Sequence, residues 1–181
     1  GAPGSTDELL LAEMNSPAYY SVYPPTSQLV FALAAWAGGD GWRVQWYVLK
    51  GLLLLAEAVG IWALLRLVGS AGASLYALHP LAILEVAGQG HTEALVVGAL
   101  GLVLLAAARH PVWAGAAVAV AGWVKLYPFA WLLGLVRTGG WPVVLGGVGA
   151  ASLLALPYAH PEALDHARQS LALFAGSFDF Y

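Results

Sequence analysis

The residues that could do chemistry cluster in LAILEVAGQGHTEALVV, residues 81–97: Glu85, Gln89, His91 and Glu93. A carboxylate and an imidazole can take or give a proton in the range where enzymes work. Their surroundings are apolar on both sides. A charged side chain at mid-bilayer costs roughly 2.5–3.5 kcal/mol on insertion scales, so such residues are rare in membranes and mark functional sites. Gly88 and Gly90 carry no Cβ, so the backbone can turn between them or approach a ligand closely. The pattern predicts a helical hairpin that holds a polar cluster at one membrane face.

Two further groups belong with this cluster. Lys125 is the only cation in the apolar stretch Val112–Val136, and Tyr127 and Pro128 follow it. A lysine acts as a point charge for phosphoryl oxygens. In NSPAYYSVYPP and just after it stand Tyr20, Tyr23 and Gln28. Tyrosine suits a membrane interface, because the ring stays apolar while the hydroxyl is wet. Plainer readings exist for each. Lys125 can snorkel to a headgroup, His91 can be a hydrogen-bonded interfacial histidine, and Glu93 can complement the dipole of the helix it opens.

The elements that must position these residues follow from hydropathy. The chain has 181 residues, 60% hydrophobic and only 9% charged, with a mean hydropathy of +0.75. Soluble domains are about 25% charged, so the expected class is all-α, a polytopic transmembrane bundle of about five or six spans or half-spans. Residues 1–25 read as an extracytoplasmic loop, 26–158 as membrane helices and 159–181 as a second extracytoplasmic loop, all within one domain. Thr26–Ala37 is too short to cross a ~30 Å core and reads as an in-plane or re-entrant helix after YSVYPP. Trp46–Val68 is the cleanest span, with Lys50 near its start, Arg66 near its end and Glu57 mid-span, protonated or paired inside the bundle. Ser74–Gly88, broken by Pro80, and Glu93–Ala108 follow. Val112–Val136 is either a hairpin of two short helices meeting at Lys125–Pro128 or one kinked span. Trp141–Tyr158 is the last, and its small residues VVLGGVGAAS (143–152) predict close helix packing.

Positive-inside bias puts Arg66, Arg109 and Arg137 in cytoplasmic turns. With the hairpin, the tyrosine-proline segment, the 85–93 cluster and Lys125/Tyr127 then converge on the outer face, which suits an anionic lipid-linked substrate. The net charge of −3 and a pI near 5.9 leave no basic stripe for a nucleic acid. With no cysteine, disulfides and thiolate chemistry are excluded. His160 and His166 with Glu162 and Asp165 lack a third anchor and read as a solvated loop, and the five histidines are too scattered for a zinc signature.

Five blocks in order carry a resemblance: NSPAYYSVYPPTSQLVFALAAW, LKGLLLLAEAVGIWALLRL, YALHPLAILEVAGQGHTEALVV, WVKLYPFAWLL and FAGSFDFY. Together they resemble the C-superfamily membrane glycosyltransferases (GT-C), in particular bacterial mannosyltransferase-like proteins that use polyprenyl-phosphate sugars. The resemblance covers nearly the whole chain. It implies a multi-pass protein of the bacterial inner membrane with an extracytoplasmic active site. A sugar, mannose by the resemblance, moves with inversion from a polyprenyl-phosphate donor to a hydroxyl on a lipid or glycan acceptor. Substrate binding is expected from Tyr20, Tyr23, Gln28, Glu85, Gln89, His91, Glu93, Lys125 and Tyr127. His91 and Glu93 are also candidates for proton transfer. No cofactor is expected, and a divalent cation is left open.

One departure limits the transfer of roles. The family's general base is an acidic residue in an earlier loop, expected upstream of Gly1, and Asp7, Glu8 and Glu13 do not take its place. The chain therefore reads as an internal piece, inactive alone. A small-molecule transporter and a non-catalytic lipid-binding membrane subunit are the alternatives. Broken helices suit a transporter, but the sequence shows no inverted repeat.

Overall fold

A computed structural model of the chain describes residue 12 and residues 21–177. Among these residues every regular element is helical. Two compact units are distinguished, one of them Tyr23–Leu156, which contains the candidate site. Of the site residues, Tyr20 lies outside the described residues.

The first helix, α1, is Pro25–Gly38, and α2 is Trp42–Ala77. Pro25 opens α1 because its fixed φ suits a first turn, where no N–H is needed. Helix α2 is longer than the expected span because it includes a reversal. Gly69 has φ 74° and ψ −179°, a left-handed φ that only glycine adopts without strain. Beyond it the chain returns along α2 through residues 70–77, α3 (Pro80–Ala82) and a π-helix, Ile83–Gln89. The Ser74–Gly88 span is therefore three short helical pieces. Pro80, with no N–H to continue the preceding helix, makes the interruption. Glu57 is buried where these two legs face each other, with the Tyr76 side chain near it.

After the turn at Gly90 come α4 (Glu93–Ala106), α5 (Pro111–Gly122), a 3-10 turn (Tyr127–Ala130), α6 (Trp131–Gly139) and α7 (Trp141–Ala155). Stretch 112–136 is a hairpin. A Cβ on Gly139, the last residue of α6, would stand 3.1 Å from Pro111, the first of α5. Helix α6 thus runs back beside α5, and α7 then runs parallel to α5.

Lipid tails are as apolar as leucine, so helices in a membrane associate through close packing rather than through escape from water. The small residues supply that closeness. A Cβ on Gly98 would lie 2.5 Å from the Ala56 carbonyl oxygen, and one on Gly101 would lie 2.7 Å from the Ala63 methyl. Cβ atoms on Gly115 and Gly146 would overlap the carbonyl oxygens of Val143 and Val112. The expected packing of residues 143–152 is thus seen against α5. Large apolar side chains point outward instead: Trp36 is 81% exposed, Trp141 76% and Leu133 77%. Such a surface is not one a water-soluble monomer presents. Trp42–Ala77 and Trp141–Tyr158 are long and apolar enough to cross a membrane. Helix α4, at 14 residues, and α5, at 12, are only about 21 and 18 Å long at ~1.5 Å per residue.

The other unit includes α8 (Pro161–Ser177), within the stretch 159–181 expected to be a loop. His160 caps it: its Nδ1 accepts from the Ala163 amide at 3.3 Å, and its carbonyl accepts from the Leu164 amide.

Candidate functional site

The helix directions bring the predicted residues to one end of the Tyr23–Leu156 unit. Helix α4 starts there with Glu93, and α5 ends there just before Lys125. The arginines Arg109 and Arg137 lie at the far end, where Pro111 meets Gly139.

The π-helix and its turn carry the first pair. Gly90 has φ 73°, a conformation that costs other L-residues about 1–2 kcal/mol. Its amide and that of His91 reach back to the Val86 and Glu85 carbonyls. This turn folds His91 over the helix it has just left, and His91 Nδ1 pairs with Glu85 Oε2. Nε2 is then the ring nitrogen left for another partner. Both side chains are accessible, 51% and 37% exposed.

Lys125 and Glu93 form the second pair, Nζ to Oε1 at 3.0 Å. Glu93 precedes the apolar run of α4, at the polar end of the bundle. Glu93 follows His91 by two residues, so the Glu85–His91 and Glu93–Lys125 pairs are neighbours at this end of the unit.

Trp123 sets the Lys125 turn. Its indole Nε1 donates to the Ala151 carbonyl on α7 at 2.9 Å, and its ring meets Phe129 edge-on at 5.4 Å. Its carbonyl accepts from the Thr26 amide at 3.0 Å, which docks the start of α1 beside the pairs. Helix α1 therefore has both ends at this face, since its far end leads directly into the start of α2. It lies across this end of the unit, as an in-plane helix would. Tyr23 packs edge-on against Phe31, and the Gln28 side chain donates to the Tyr23 carbonyl at 3.4 Å. Gln89 and Tyr127 are exposed at the same end. Between α1 and α2 lies an open groove of about 500 Å³ lined by Phe31, Trp42, Gln45, Trp46 and Leu49 among others.

Two residues were not singled out from the sequence. Lys50, taken there as a flank of a span, donates to the Ala87 and Gly88 carbonyls at 2.6 and 2.8 Å. Its ammonium lies 5.2 Å from the centre of the Trp46 ring. The spacing of the two, one helical turn apart in an apolar helix, was the available signal. Among the described residues no group of three or more His, Asp or Glu could hold a metal.

A family model described as glycosyltransferase family 87 matches residues 21–169, a span that contains every described site residue. No curated protein and no solved structure matches the chain.

Proposed function

The chain belongs to glycosyltransferase family 87 and is a membrane glycosyltransferase, and we propose that its donor is a polyprenyl-phosphate sugar, with mannose as the sugar. The carrying observation is the adjacency of the Glu85–His91 and Glu93–Lys125 pairs at one end of the bundle. One pair can handle a proton and the other can face an anion.

In this reading an acceptor hydroxyl oxygen attacks the anomeric carbon as the bond from that carbon to the phosphate oxygen breaks. The configuration inverts. The phosphate leaves with the electron pair, and Lys125, which has three N–H donors and shares one with Glu93, faces its growing charge. In place of the upstream acid that the resemblance implies, His91 Nε2 takes the proton of the acceptor, while Glu85 on Nδ1 orients the ring and stabilises the imidazolium, as a carboxylate does for a catalytic histidine. Gln28, Tyr23, Gln89 and Tyr127 line the approach. The groove beside α1 holds the first apolar units of the prenyl chain. The site faces the extracytoplasmic side of a bacterial inner membrane, with Arg66, Arg109 and Arg137 toward the cytoplasm.

The test uses the full-length protein in liposomes with labelled polyprenyl-phosphate mannose. Transfer of label to a hydroxyl acceptor supports the reading. Turnover with a nucleotide sugar alone, or movement of the lipid without transfer, overturns it.

A further inference from the structure

We propose that Lys50 is a positioning residue for the reaction, a clamp that holds the His91 turn in place from a neighbouring helix. The inference rests on the His91 role proposed above.

The reason lies in the end of the π-helix. The last carbonyls of any helix have no partner within it. Here the Gly90 and His91 amides satisfy Val86 and Glu85. The next two, Ala87 and Gly88, are the pair that Lys50 Nζ takes, at 2.6 and 2.8 Å. A lysine suits the task better than a neutral donor, because the C-terminal end of a helix carries partial negative charge. Trp46 braces the contact from both sides. Its ring lies under the Lys50 ammonium, and a Cβ on Gly90 would come within 3.0 Å of the same ring. The turn is thereby fixed to the rigid start of α2 rather than left to a glycine-rich segment. His91 is one residue beyond that brace, so the aim of its ring depends on it. Lys50 touches backbone and not the Glu85–His91 pair, which separates a positioning role from proton transfer.

The experiment compares Lys50→Met and Lys50→Arg in the full-length protein in liposomes. Initial rates across donor concentration are measured beside hydrogen exchange of the peptide spanning residues 86–92. Misplacement of a reacting group by about 1 Å can cost on the order of 10²-fold. Lys50→Met is expected to lower kcat by that order, leave the donor KM unchanged and speed exchange at Gly90 and His91. Lys50→Arg, which keeps charge and two donors, recovers both. In a His91→Ala background, Lys50→Met adds no further loss, because its effect passes through His91. A raised KM with unchanged kcat, a further loss in the His91→Ala background, or wild-type exchange and kcat each overturns the proposal. Should His91→Ala itself be fully active, the reading of His91 fails while the exchange measurement still decides whether Lys50 holds the turn. If Lys50→Met does not fold, Lys50→Gln is judged by the same measurements.

Discussion

Lys125 Nζ stands 3.0 Å from Glu93 Oε1, joining the turn after α5 to the first residue of α4. The pair is partly exposed at the polar end of the bundle. Exposed ion pairs are worth only about 0–1 kcal/mol, so the contact is a weak reason for the fold to need a lysine in an apolar stretch. The proposed contact with the donor phosphate is a better one.

That contrast gives the first prediction. Lys125→Met is expected to leave the thermal unfolding temperature in detergent nearly unchanged while abolishing most transfer and raising the donor concentration needed. Lys125→Arg keeps the charge with a different geometry and should retain part of the activity. Donor titration in liposomes makes the comparison, and an unchanged rate and donor dependence in Lys125→Met would leave this lysine as an interfacial anchor.

The Glu85–His91 pair predicts graded losses. Loss of a positioned proton-transfer group costs about 10²–10⁴-fold in rate, so His91→Ala should fall in that range at equal membrane abundance. Glu85→Gln keeps a side chain of the same shape without the charge and should lose less. Glu93→Gln, which removes the carboxylate from Lys125, should also slow transfer. Single-turnover assays separate these effects from product release, and wild-type turnover in His91→Ala would move the general base to another residue.

The shared polar end predicts labelling by side. The chain has no cysteine, so Asp40→Cys in the α1–α2 loop and Thr138→Cys at the end of α6 provide unique thiols at exposed positions. An impermeant thiol reagent outside intact cells should modify the first and spare the second. Labelling of both, or of Thr138→Cys alone, contradicts the proposed orientation.

Packing predicts a contrast between two neighbouring glycines. A side chain at Gly146 would overlap the Val112 carbonyl, whereas Gly149 faces open space. Overpacking costs typically about 1–3 kcal/mol and occasionally more. Gly146→Leu should therefore lower the unfolding temperature and the membrane abundance, and Gly149→Leu should do neither. Equal behaviour of the two in a detergent thermal scan would contradict the parallel contact of α5 and α7.

Much of this protein was legible in one dimension, because apolar length and helix breakers act locally. The long apolar runs dictate helices in a membrane, since lipid offers no partner for an open backbone. Pro80 and the glycines at 88 and 90 mark where one leg ends, and Lys125–Pro128 marks the tip of a hairpin. The candidate residues were visible as polar side chains in the wrong solvent. The tertiary structure decided which of them meet. Glu85, expected at the substrate, meets His91, because a left-handed Gly90 folds the chain back on the π-helix. Lys50 turned from a span flank into a cap, because the return leg after Gly69 lays the Ala87 and Gly88 carbonyls against α2. These relationships depend on how closely and in which direction helices cross. Small residues far apart in the chain set that crossing, and neither hydropathy nor spacing records which of them touch.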